Sequence, residues 1–192
     1  MKRIALPLIA MAFSSPVFAQ DADPGAWQGY YAGLQLDSIQ DGALVSDLGG
    51  GLTAEIELDS IQFVFFGGYR HQIGNFVVGG EYDLAASRTD LVGFGGSTKQ
   101  TVHRLGVELG YAAGRFLPYA SAGLAHIRYN GDGGTFTDTG SFAAVGLDYR
   151  LRERSTLGVE VINHEFGELS GGFTFPITPE LTTVGVNFSV DF

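Results

Sequence analysis

The last ten residues of the chain, Thr183 to Phe192, alternate without a break. Val184, Val186, Phe188, Val190 and Phe192 take one side, and Thr183, Gly185, Asn187, Ser189 and Asp191 take the other. Successive side chains of a β-strand point to opposite faces, so this segment is a ribbon with one apolar and one polar face. Helical spacing is scarce elsewhere, and the same two-faced pattern recurs along the chain.

Seven earlier segments carry it. The first sets Tyr30, Ala32, Leu34 and Leu36 against Gly29, Gly33, Gln35 and Asp37. The second sets Phe63, Phe65, Gly67 and Tyr69 against Gln62, Gly68 and Arg70, and the third sets Phe76, Val78, Tyr82 and Leu84 against Gly79, Glu81 and Asp83. The fourth opposes Leu105, Val107, Leu109 and Tyr111 to Arg104, Gly106, Glu108 and Gly110. The fifth is weaker: Leu117, Tyr119, Ala125 and Ile127 stand against Ala120, Ala122, His126 and Arg128, with Ser121 and Leu124 on the wrong sides. The sixth opposes Val145, Leu147 and Tyr149 to Gly146, Asp148 and Arg150, and the seventh opposes Leu157, Val159 and Val161 to Gly158 and Glu160, with Ile162 spoiling its end.

The connections alternate in length. Short ones fall at Ile73-Gly74-Asn75, Ala113-Gly114-Arg115 and Arg152 to Ser155. Long ones, rich in Gly, Asp, Ser and Thr, run from Gln40 to Glu57, Ala86 to Gln100, Asn130 to Gly140 and Glu165 to Leu181. Strict alternation suits an up-and-down antiparallel sheet with two unequal ends, the arrangement of barrels with short periplasmic turns and long outside loops.

A soluble barrel would bury the apolar face and wet the polar one. The inverse fits better here. The polar faces hold mid-strand Glu81, Arg104, Glu108, Asp148 and Glu160 among many glycines, and glycine suits the crowded interior of a small barrel. The apolar faces hold no charge in the strand cores, as lipid requires, because Arg or Lys at the midplane costs about 2–4 kcal/mol. Tyr30, Tyr69, Phe76, Tyr111, Tyr119, Tyr149 and Phe192 all fall at the strand ends nearest the short turns, where a periplasmic aromatic girdle is expected. Phe63, Phe65, Tyr82, Tyr129 and Phe142 are candidates for a second ring. Lipid offers no hydrogen bonds, so the sheet must close. The fold expected is all-β: an eight-stranded antiparallel up-and-down transmembrane β-barrel over residues 27–192. Inside it Arg70, Arg104, Arg128 and Arg150 are expected to pair with Glu81, Glu108, Asp148 and Glu160, since a buried charge needs a partner.

The N-terminus reads as an address. Lys2 and Arg3 precede an apolar run from Ile4 to Phe13, Ser14-Ser15-Pro16 breaks it, and Val17-Phe18-Ala19 offers a cleavage site before Gln20. The run is too short for the ~20 residues of a spanning helix. Residues 1–19 are thus expected to be a secretory signal peptide and 20–26 a periplasmic lead-in. With 21 acidic and 11 basic side chains and no basic cluster, nucleic acid is not an expected partner. The absence of cysteine excludes disulfides, thiolate catalysis and Cys-based zinc sites.

Trp27-Gln28-Gly29-Tyr30-Tyr31, Phe76-Val77-Val78-Gly79-Gly80-Glu81, the segment Phe116 to Ala125 and the terminal Val184 to Phe192 resemble the small outer-membrane β-barrel proteins of Gram-negative bacteria. That group includes the opacity-protein and porin-family barrels and the barrel domain of outer membrane protein A. The resemblance covers nearly all of the mature chain. It implies location in the bacterial outer membrane, a surround of phospholipid and lipopolysaccharide, and reading of Phe192 by the barrel-assembly machinery. It also leaves open an extracellular ligand for the loops. A tether to peptidoglycan through a further periplasmic domain is not expected.

Enzymatic chemistry has few footholds. His71, His103, His126 and His164 lie on different segments without metal-ligand spacing. Outer-membrane lipid A deacylases resemble this chain in strand number and use a His-x-Ser pair with a carboxylate. Here His126-Ile127-Arg128 and His164-Glu165-Phe166 lack the serine. Gly93 to Lys99 lacks P-loop order, and Asn130 to Gly134 lacks EF-hand spacing. No cofactor, metal or catalytic residue is expected. The function read from the sequence is a monomeric, non-enzymatic barrel for envelope integrity and loop-mediated adhesion or recognition. A lipid A-modifying hydrolase and a narrow diffusion pore are the alternatives.

Overall fold

The computed structural model describes residues 26–49, 52–57, 61–90, 97–131, 134–167 and 177–192. The expected signal peptide, 1–19, lies outside the described residues, and so does the lead-in 20–26 except Ala26. Nine strand segments follow in order: β1 (Gly29–Gly49), β2 (Leu52–Glu57), β3 (Ile61–Ile73), β4 (Phe76–Asp90), β5 (Ser97–Tyr111), β6 (Phe116–Gly131), β7 (Gly134–Arg152), β8 (Ser155–Glu165) and β9 (Ile177–Asp191). Each pairs antiparallel with its neighbour, and β1 pairs with β9 to close the sheet. On the other edge of β1, β3 pairs with Gly29 to Ser38 and β2 with Ala43 to Gly49. These two segments therefore share one stave, and the barrel has eight. Closure gives every strand except the short β2 two partners, as a sheet surrounded by hydrocarbon requires.

Two of the three short turns are opened by glycine. Gly74 and Gly114 have φ of +61° and +62°, and each opens a two-residue turn whose backbone twist matches that of the flanking strands. At the opposite end, stretches expected as long loops are largely strand. β4 and β5 stay in register to Asp90 and Ser97, and β6 and β7 to Gly131 and Gly134. Ladders set by the membrane-embedded half simply continue outward as two-stranded ribbons. Glycine, serine and threonine do not stop extended backbone when both ladder partners are already aligned.

Most faces lie as the alternation dictates. Leu34, Phe65, Leu105, Val107, Leu109, Val145 and Val186 face outward and are exposed, while Gln35, Arg70, Asp83, Arg104, Glu108, Asp148, Glu160 and Asn187 face inward and are buried. The fifth predicted segment, β6, faces the other way from the sequence expectation. Leu117, Tyr119, Ala125 and Ile127 point inward, and Phe116, Leu124, His126 and Arg128 point outward. Both sides of β6 are apolar enough to read either way. Register decides: Glu108 lies opposite Ser121, and Gly110 opposite Tyr119. Paired residues share a face, so an inward Glu108 carries the odd-numbered residues of β6 inward with it, and a one-residue slip would reverse them all.

The interior is filled along its height. Near the short turns Trp27, Val77, Ala112 and Leu117 form an apolar floor. At the far end Val64, Val102, Ile127, Tyr129, Phe142, Ile162 and Phe166 belong to a larger apolar plug. Tyr129 and Phe142, candidates for the second exterior ring, are thus lumenal; Phe63, Phe65 and Tyr82 are exposed outside. The charged belt lies between the two apolar layers.

Candidate functional site

The belt is organised around two arginines. Arg70 on β3 faces Glu108 on β5 in a two-pronged pair, with Nε donating to Oε1 at 2.8 Å and Nη2 to Oε2 at 2.7 Å. The same Nη2 lies 2.9 Å from Asp148 Oδ2 on β7. The planar fork of a guanidinium matches a carboxylate in this geometry, which makes such pairs shorter and stronger than neutral hydrogen bonds. The Tyr31 ring sits 4.5 Å from the Arg70 carbon and the Tyr119 ring 5.8 Å from it. The Tyr31 hydroxyl donates to Glu81 Oε2 at 2.7 Å.

Arg104 on β5 is the second hub and is 2% exposed. Its Nε donates to Asp83 Oδ2 at 2.8 Å, and its Nη1 lies 3.9 Å from Asp37 Oδ2. Gln35 donates to Asp37 Oδ1 at 2.7 Å. Arg70 and Arg104 thus hold Glu108, Asp148, Asp83 and Asp37, whereas Glu81 and Glu160, expected from the sequence to pair with arginine, point inward without an arginine at ion-pair distance among the described residues. Hydroxyl and amide donors, such as the Tyr31 hydroxyl and the Gln35 amide, meet part of the surplus negative charge.

Arg150 closes the end of the barrel that carries the short turns. It pairs with Asp191 at 3.2 Å, donates to the Glu153 carbonyl at 2.7 Å, and lies 4.4 Å over the Trp27 ring. Trp27 is fixed by two further bonds: its amide donates to Gln72 Oε1 at 2.9 Å and its indole N–H to the Gly114 carbonyl at 3.3 Å.

Several sequence expectations change here. Arg128 is not part of the lumen network; it faces outward because β6 does. Arg150 meets Asp191 and not one of the four carboxylates proposed for it. Asp37 and Asp83 hold Arg104, although sequence reasoning left them out of the charge list. Their mid-strand position on polar faces was the available signal. Trp27 and Tyr31 were also missed, since an aromatic beside a girdle reads as girdle until the register fixes its side.

The exterior ring is composed differently from expectation. Tyr30 and Tyr69 rings lie 4.8 Å apart, and Phe76 and Tyr111 rings 5.6 Å apart. Tyr149 meets Phe116 at 4.9 Å. Tyr119 points into the lumen, and Phe116 stands in the ring position assigned to it. Phe192 is 79% exposed, and its amide donates to the Tyr30 carbonyl at 2.9 Å. His126 is exposed on the exterior and His164 is buried inside, stacked 5.8 Å from Phe166. Among the described residues, no three His, Asp or Glu side chains converge as metal ligands.

Residues 5–192 match the family model described as outer membrane protein beta-barrel domain. The chain belongs to this family. Like other members of the outer-membrane β-barrel family it resides in the bacterial outer membrane. Among solved structures, Neisserial surface protein A is similar over 85% of this chain and 97% of its own, at 17% identity and a TM-score of 0.58. The N-terminal β-barrel domain of Pseudomonas aeruginosa OprF matches over 86% of this chain and 98% of its own, at 15% identity and a TM-score of 0.49. Ail, the attachment invasion locus protein of Yersinia pestis, matches over 83% of this chain and 97% of its own, at 8% identity and a TM-score of 0.44. No curated protein sequence matches the chain.

Proposed function

We propose that this outer-membrane barrel is non-enzymatic and acts through its outside. In this reading it strengthens the envelope and presents its extended hairpins for adhesion or recognition. The observation that carries the reading is the filled lumen. Trp27 and Leu117 floor it, Arg70 and Arg104 with their carboxylates cross its middle, and Phe142, Ile127 and Phe166 plug its far end. A solute path would have to break buried ion pairs and open an apolar plug. The surfaces left for function are the lipid-facing wall and the hairpins. The partners proposed are phospholipid and lipopolysaccharide around a monomeric wall, the assembly machinery at Phe192 and an extracellular ligand at the hairpins.

The test compares a deletion strain carrying the intact protein with one carrying a shortened β6–β7 hairpin. The intact protein is expected to restore resistance to a bulky apolar dye and binding to extracellular matrix. The shortened form should restore only the first. Planar bilayers should show no steady conductance. A change in lipid A mass that depends on the protein would overturn the reading in favour of hydrolysis.

A further inference from the structure

Beyond the apolar band the wall of β5 to β7 changes character. Lys99, Thr101 and His103 face outward from β5, and His126 and Arg128 from β6. His103 lies directly opposite His126, and Arg128 lies between Thr101 and Thr137. Each imidazole is steadied through Nδ1: His103 bonds the Tyr82 hydroxyl at 2.7 Å, and His126 the Thr139 hydroxyl at 2.9 Å. Nε2 of each ring is the nitrogen left for a ligand. Neither Lys99 nor Arg128 has a carboxylate partner among the described residues, although the chain carries a formal charge of −10. Asp138, next door on β7, points inward and accepts the Gly167 amide at 2.7 Å.

Height assigns the patch to one leaflet. His126 and Arg128 follow Phe116 of the periplasmic ring by ten and twelve residues. At about 3.3 Å per residue and a strand tilt of about 40°, they stand roughly 25–30 Å above it. The apolar band of such barrels is about 25 Å tall. The cations therefore lie at the upper interface, where outer-leaflet headgroups begin, and Leu105, Val107 and Leu124 continue below them as bare apolar wall.

We propose that this patch binds the phosphorylated sugar headgroup of lipopolysaccharide. Arg128 and Lys99 take phosphate, the histidines and threonines take phosphate oxygens and sugar hydroxyls, and the acyl chains lie on the wall beneath. The proposal deepens the lipopolysaccharide contact of the proposed function and rests on that part of it; it stands whether or not the hairpins bind an external partner.

The test uses the full mature chain in phospholipid nanodiscs, with retained lipid read by native mass spectrometry. The probes are bisphosphorylated lipid A, dephosphorylated lipid A and phosphatidylglycerol. The intact protein should retain bisphosphorylated lipid A over the other two. The double variant Lys99→Gln/Arg128→Gln should bind it roughly thirtyfold more weakly, as expected for two interfacial charges. Heat-dependent gel migration identifies folded barrel in every sample. Should the variant misfold, amide shifts of Thr101, His126 and Arg128 in the intact protein on adding lipid A provide the same decision. Equal retention by a folded variant overturns the proposal. So does equal binding of dephosphorylated lipid A or phosphatidylglycerol, or an absence of shifts at those amides.

Discussion

Tyr119 on β6 lies across the ladder from Gly146 on β7, and its ring fills the space that a side chain at Gly146 would need. Tyr31 has the same relation to Gly68 on β3. These two inward glycines are holes for inward aromatic knobs, and this fit lets a narrow barrel hold rings beside a charged belt. Gly146→Ala is expected to lose about 1–3 kcal/mol through overpacking. Gly80→Ala, on the exposed exterior, should change stability by less than about 0.5 kcal/mol. Urea unfolding in lipid vesicles, followed through the single tryptophan, Trp27, measures both. Equal effects would count against the knob-and-hole packing.

The Arg70 pair makes a second expectation. Arg70→Ala leaves Glu108 and Asp148 buried without their cation and should cost about 3–5 kcal/mol. The double variant Arg70→Met/Glu108→Gln should lose less than the two single changes together, because the orphaned carboxylate is gone. Additive losses in the same unfolding assay would show that the two groups do not act as a pair.

Depth along the wall makes a third. Val107 lies in the apolar band and Thr101 near the upper interface on the same strand. Val107→Arg should cost about 2–4 kcal/mol and Thr101→Arg about 0–1 kcal/mol. Equal penalties would contradict the assigned membrane level.

Strand number, closure and most faces were legible in the sequence because lipid imposes a simple rule. A strand with charge on one side and none on the other can face only one way. β6 escaped that rule: its one charged side chain, Arg128, stands at the upper interface, and within the apolar band Leu117 and Ile127 oppose Ala120, Ala122 and Leu124, so neither side carries a decisive cost. Its direction comes from Glu108, a residue on another strand, through a register that no local pattern reveals. The out-of-place Ser121 and Leu124 were the local trace of it. The apolar plug was hidden for a related reason. Val64, Val102 and Ile162 sit at polar-face positions, where an expectation of a hydrophilic lumen discounts them. Pairing inside the belt depends on distances across the barrel, so Asp83 and Asp37 could be seen as inward but not assigned to Arg104.

The central claim is that two sets of aliphatic side chains live in different solvents, one in lipid and one in a sealed interior. Methyl NMR of the protein in nanodiscs containing chain-nitroxide lipid reads this without any substitution. The methyls of Leu105, Val107 and Leu124 should broaden strongly, while those of Val64, Ile127 and Ile162 stay sharp. Strong broadening of the second set, or equal broadening of both, would contradict the inside-out packing and with it the fold as described.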